Sequence, residues 1–159
     1  MISMSSILLA LCLSLISPQR PSDVVKWSAV APGKPVPAGG EATISLNAKI
    51  ENGWKLYALT QAKGGPQGLA IAVAKGSPFT IATKRIVAPK PKVHTDENFN
   101  LDTQYYDTDT LFTVPVRVEK SAAAGPQQIP IDVTFQACGA SICLRPFTER
   151  VTVTVTITK

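Results

Sequence analysis

Cys138 and Cys143 are the residues of this chain best placed to do chemistry. Four small or apolar residues, Gly139-Ala140-Ser141-Ile142, separate them. A strand-like run leads in and an extended segment leads out, so the loop can bring both cysteines to facing positions of a hairpin. Facing residues in a non-hydrogen-bonded antiparallel pair lie ~4.5 Å apart at Cα, within disulfide range. Chain entropy assigns a six-residue ring about 2 kcal/mol of stabilisation, against about 4.7 kcal/mol for a 100-residue loop. A bridge serving stability alone gains more by joining distant strands. A short-loop bridge opens with little else changing, which suits thiol–disulfide exchange. Many structural disulfides also close short loops, so spacing alone leaves the redox and structural readings level. A third reading joins both thiols and His94 in a metal site, but zinc would lack a fourth ligand there and the Cys spacing is loose for it.

Other chemistry finds little support. His94 is the only histidine, so any Ser-His-Asp triad would be arbitrary. Gly64-Gly65 is not followed by a helical pattern, as a phosphate-binding loop requires. Asp96 and Glu97 are adjacent on an extended segment, where neighbouring side chains point apart, and by themselves read as a solvated loop. Trp54, Tyr57 and Phe99 by themselves read as packing residues. The net charge is +5, from 16 Lys and Arg against 11 Asp and Glu. A basic balance raises nucleic acid as a partner. The one basic cluster, Lys84, Arg85, Lys90 and Lys92, is followed by Asp96, Glu97, Asp102, Asp107 and Asp109, with no Lys or Arg between Val93 and Val116. That acidic block argues against a duplex-binding face, and no nucleic-acid partner is expected.

The elements that must position the cysteines are strands. Glu41 to Ile50 alternates, with Ala42, Ile44, Leu46, Ala48 and Ile50 on one face. Asn52-Gly53 is a turn signal, and Trp54 to Tyr57 resumes an extended run. Gly68 to Ala74 and Thr80 to Val87 read as further strands, and residues 88 to 103 as a long polar connection. Thr110 to Val118 alternates around Pro115, which predicts an edge strand or one whose non-bonding side faces outward. Gln128 to Ala137 and Arg150 to Lys159 complete the set, the latter alternating Val and Ile with Thr. Pro32 to Pro37 reads as a lead-in arm. Seven or eight short strands without a helix-period segment predict an all-β, immunoglobulin-like antiparallel β-sandwich. A chain of 159 residues favours one domain.

Ile7 to Ile16 is apolar over ten residues with one Ser, too short for a membrane span, and Ser17-Pro18 breaks it. It reads as a signal peptide at residues 1–17, with a lipid anchor on Cys12 as a lesser alternative. Removal of that segment leaves Cys138 and Cys143 as the only cysteines in an oxidising compartment, most simply a disulfide. No span is expected in the mature protein.

Four segments resemble a known family. Phe135-Gln136-Ala137-Cys138 and, four residues on, Cys143-Leu144-Arg145-Pro146 are similar to the cysteine motif of the N-terminal domain of the thiol:disulfide interchange protein DsbD. Asn52-Gly53-Trp54-Lys55-Leu56-Tyr57, then Thr60-Gln61 with Gly64-Gly65-Pro66, then Val93 to Phe99 resemble three further segments in the same order. The resemblance implies one domain at residues 24–159, outside the cytoplasmic membrane. It implies a protein-disulfide reductase-type electron carrier without a cofactor. Its partners would be thioredoxin-like proteins and a membrane electron transporter on one side and exported disulfide proteins, including those of cytochrome c biogenesis, on the other. Carried over residue by residue, Cys143 is the attacking thiol and Cys138 its resolving partner. Phe99 is the cap aromatic over the disulfide, Asp96 and Glu97 lie beside it, and Tyr57 lines the site. An acidic loop over the pair would raise the thiol pKa, with Arg145 opposing it. The chain departs from the family where Arg145 replaces the first of two prolines and where Asn98 shifts the cap aromatic by one position. Nothing resembles the membrane segment or the C-terminal thioredoxin-like domain of full DsbD, so transfer between separate proteins is expected. An immunoglobulin-like interaction module with a structural disulfide is the alternative.

Overall fold

A computed structural model describes residues 19–97 and 99–159. The predicted signal peptide, Cys12 and Asn98 lie outside the described residues. Two sheets form the sandwich. The first runs in the order β1 (Val25–Val30), β3 (Glu41–Ile50), β9 (Thr110–Val118), β6 (Phe79–Ile81). The second runs β2 (Val36–Pro37), β12 (Phe147–Thr158), β10 (Gly125–Phe135), β5 (Ala70–Val73). All pairs are antiparallel except the two-residue β2, which joins the end of β12 in parallel. The predicted lead-in arm thus ends as a short edge strand.

The period of two dictates this arrangement. On β3 the five alternate apolar residues from Ala42 to Ile50 are all buried. On β9 Phe112, Val114, Val116 and Val118 are fully buried, and they meet Ile129, Ile131, Val133 and Phe135 of β10 in one core. Trp27 of β1 ties the sheets together: its ring lies 5.8 Å from Phe112 in the first sheet and 5.5 Å from Phe135 in the second. Phe135 in turn stands edge-on to Phe147, 6.4 Å away. This is the immunoglobulin-like β-sandwich that the alternation predicts.

A third, smaller sheet carries the candidate site. Its order is β11 (Ala137–Cys138), β4 (Lys55–Tyr57), β8 (Leu101–Tyr106), β7 (Lys92–Asp96). Tyr106 seats it on the core, edge-on to Phe112 at 5.6 Å. The turn before β4 is made by Gly53, whose φ of 85° suits a residue without a Cβ.

Four sequence expectations need correction. Residues 88 to 103 are not one long loop: they contain β7 and the start of β8, a hairpin with its register fixed from Lys92↔Tyr105 to Asp96↔Leu101. The predicted strand from Thr80 to Val87 stops at Ile81. A 3₁₀ turn at Thr83–Arg85 follows, and only Val87 rejoins the first sheet, opposite Thr113. β9 is not an edge strand, because β3 and β6 flank it. The Pro115 carbonyl accepts from the Ala82 N–H, so the side that lacks a donor faces the point where β6 has already ended. Finally, a four-residue helix, α1 (Pro21–Val24), precedes β1 and starts on a proline. Among the described residues no helix is long and apolar enough to cross a membrane.

Candidate functional site: a disulfide between two unlike clefts

β10 does not run straight into β11. Gln136 interrupts it, and the next two residues pair instead with β4, Ala137 opposite Leu56 and Cys138 opposite Lys55. The chain then turns back through Ala140-Ser141. The Gly139 N–H donates to the Ile142 carbonyl at 2.8 Å, and the Leu144 N–H to the Ala137 carbonyl at 2.9 Å. These bonds bracket Cys138 and Cys143, leaving them a facing pair without mutual backbone hydrogen bonds. Their Cα atoms are 4.1 Å apart and a disulfide joins them. The pair is asymmetric: Cys138 is buried at 2% exposure, while Cys143 is half-buried.

The β7–β8 hairpin stands beside Cys138. Asp96, the last residue of β7, is buried, and Glu97, the first residue of the turn, is exposed. Asn100 takes the left-handed conformation, φ 51°, that lets this turn close. The buried Tyr57 hydroxyl donates to Asp96 Oδ2 at 2.7 Å. Burial, and then this hydrogen bond, push the Tyr57 pKa well above the ordinary phenol value. Phe99 is half-buried and stands edge-on to Tyr57, ring centroids 6.2 Å apart. Asp96, Glu97, His94 and Lys55 line a cleft of about 240 Å³ against Cys138 and Gly139. Five of the six residues singled out in the sequence sit on the third sheet or in the β7–β8 turn, and Cys143 joins them through its bridge to Cys138. Phe99 joins the group through Tyr57. His94 lines the same cleft, yet among the described residues no group of three His, Cys, Asp or Glu side chains could hold a metal.

The rest of the acidic block has local work. Asp107 pairs with Lys92 at 2.8 Å, which raises the lysine pKa. Asp102 accepts from the Thr95 hydroxyl at 2.7 Å, and Asp109 accepts from the Ile50 N–H at 3.0 Å.

Three supporting residues stand outside the predicted site set. Gln136 receives the Gln67 N–H on its side-chain oxygen at 2.9 Å and donates to the Leu144 carbonyl at 3.1 Å. It thereby fixes both the glycine-rich loop and the strand leaving Cys143. Gln61 donates to the Gln104 carbonyl at 2.6 Å and accepts from the Gln104 N–H at 3.2 Å, acting as a strand partner for β8. Trp54 lies within van der Waals range of the space a Cβ on Gly139 would fill, 3.6 Å away. All three stand in the quoted motifs, which was their only sequence signal.

A family model described as "Thiol:disulfide interchange protein DsbD, N-terminal" matches residues 24–155. The chain belongs to this family. Its disulfide is accordingly that of a thiol:disulfide interchange domain, and the match takes in every segment of the site. The DsbD N-terminal domain of Neisseria meningitidis, solved in the reduced form, is similar in fold: TM-score 0.56 and 15% identity, covering 87% of this chain and 90% of that one. The N-terminal periplasmic domain of ScsB from Proteus mirabilis gives TM-score 0.54 and 17% identity, covering 87% of this chain and 49% of that one. This chain thus spans about half of the ScsB domain. No curated protein matches it.

Proposed function

We propose that the chain is an exported electron carrier that works by reversible exchange at Cys138–Cys143. The observation that carries this reading is the asymmetry of the pair: Cys143 is only half-buried while Cys138 is buried. A thiolate of a thioredoxin-like domain, itself supplied by a membrane electron transporter, attacks Sγ of Cys143. The Cys138–Cys143 bond breaks as the mixed disulfide forms, and Cys138 leaves with the electron pair and takes up a proton. The partner's second thiolate then attacks its own mixed-disulfide sulfur, releasing the reduced carrier and an oxidised partner. In the second half of the cycle the Cys143 thiolate attacks the disulfide of an exported protein, those of cytochrome c biogenesis among them. Cys138 resolves that intermediate, restoring the bridge.

Phe99 is the cap of this site in the proposal, held by its edge-on contact with Tyr57, with Asp96 and Glu97 beside Cys138 as the acidic wall that a partner must displace or complement. The periplasmic placement named for the ScsB domain supports an exported location for this chain. Partner capture tests the reading. Full-length Cys12→Ser with Cys138→Ala, incubated with a thioredoxin-like domain that lacks its resolving cysteine and carries the other as a thionitrobenzoate mixed disulfide, is expected to accumulate a mixed disulfide through Cys143 with release of thionitrobenzoate, whereas Cys12→Ser with Cys143→Ala is not. Absent capture by both variants leaves the disulfide structural, and equal capture overturns Cys143 as the exchanging sulfur.

A further inference from the structure

The two faces of the disulfide differ in lining. On the side of Cys138 lies the cleft of mixed charge with Asp96, Glu97, Lys55 and His94. On the side of Cys143 lies a separate groove of about 330 Å³. Its floor is apolar: Pro21, where α1 begins, Leu144, and Phe147, where β12 begins. Its rim carries Arg20 and Arg145, both exposed, and no Asp or Glu lines it. Arg85 and Arg150 elsewhere are ion-paired, with Glu41 and Asp132 respectively. Among the described residues the Arg20 and Arg145 side chains have no such partner.

We infer that this groove seats the segment of a partner polypeptide that carries the exchanging cysteine, and that it selects an apolar side chain next to a carboxylate. The inference rests on the exchange reading and names the chemistry of the partner. A thiolate attacks a disulfide sulfur from the side on which that sulfur is open. Cys143 lines the groove. An apolar floor favours a buried hydrocarbon side chain over a small hydrophilic thiol. Two unpaired guanidiniums at the rim favour a carboxylate and steer its approach. In the mixed disulfide, the partner sulfur bonds Sγ of Cys143, and its carboxylate lies toward Arg20 and Arg145.

Single-cysteine peptides test this, each carried as a mixed disulfide with thionitrobenzoate. Three sequences around the cysteine are compared: Asp-Leu-Cys, Lys-Leu-Cys and Asp-Ser-Cys. The Cys143 thiolate of full-length Cys12→Ser with Cys138→Ala attacks the peptide sulfur, and thionitrobenzoate leaves with the electron pair and is read by absorbance. The acidic, apolar peptide is expected to react fastest. Its advantage over the basic peptide should fall about five- to tenfold when Arg20→Glu and Arg145→Glu are combined, and it should shrink with salt. The remote pair Lys75→Glu with Arg117→Glu, which changes net charge equally, should leave it nearly unaltered. Arg145→Glu alone gives a partial loss and serves if the double variant misfolds. A preference equally insensitive to the rim and remote pairs overturns the groove while exchange stands. If no peptide reacts with the folded protein but all react once it is unfolded in urea, the exchange reading falls and the groove with it.

Discussion

Tyr57 is the residue on which the acidic hairpin leans. Its hydroxyl is buried and donates to a buried carboxyl group on a strand 39 positions away. Removing the donor in Tyr57→Phe should cost about 1–2 kcal/mol in urea unfolding of the oxidised protein. The same bond has a pH signature. A folded-state pKa raised above the unfolded value of 10 gives stability that is complete below pH 10 and is lost as pH rises beyond it toward the folded value. Tyr106, raised by burial, acts in the same direction. Wild type should therefore lose stability from about pH 10 upward, and Tyr57→Phe should lose less over that window. An unchanged alkaline limb in Tyr57→Phe contradicts the assignment. The spacing of Cys138 and Cys143 alone does not tell them apart, because a spacing fixes proximity and not exposure. Their unequal burial is a property of β11 lying against β4.

At the level of elements, β12 contains an exception to its own pattern. Glu149 occupies the inward row between Phe147 and Val151, and its buried Oε2 has no hydrogen-bond partner. Burial raises its pKa, opposed by Lys26. A raised pKa means that its contribution is fully present below pH 4.5 and declines as pH rises through the folded value. Glu149→Met should thus stabilise the protein by about 0.5–1 kcal/mol at pH 7, with a smaller gain near pH 4, as read from paired denaturation curves. No gain at pH 7 shows that Lys26 already compensates the charge. The long strands β3, β9 and β10 were legible because one face of each is apolar and buried. The β7–β8 hairpin was not. Four of the five residues of β7 are exposed, so Lys92-Val93-His94-Thr95 carries no alternation, and its pairing is fixed from outside by Lys92–Asp107 and by Gln61 on β8. β6 was overextended because Thr80 to Val87 keeps strand-like composition while the chain turns at Thr83–Arg85.

For the whole molecule, the sandwich does not need the bridge. Its core is closed by Trp27 against Phe112 and Phe135, through ring contacts that do not involve the bridge, and the hairpin around Cys138 and Cys143 keeps its own backbone bonds. Reduction should therefore leave the fold intact and cost at most about 2 kcal/mol, the chain entropy of a six-residue ring. Calorimetry of oxidised and reduced protein checks this, with a drop in Tm of at most roughly 4–8 °C expected. Collapse of the near-ultraviolet signal on reduction contradicts it. A fold indifferent to the state of its disulfide is what an electron carrier requires. The most direct measurement is the reduction potential of Cys138–Cys143, obtained by equilibrating the full chain against graded dithiol buffers and counting free thiols by mass. Exchange predicts a midpoint between about −120 and −270 mV, the span of dedicated thiol–disulfide carriers. A midpoint below about −300 mV, where structural disulfides lie, contradicts it.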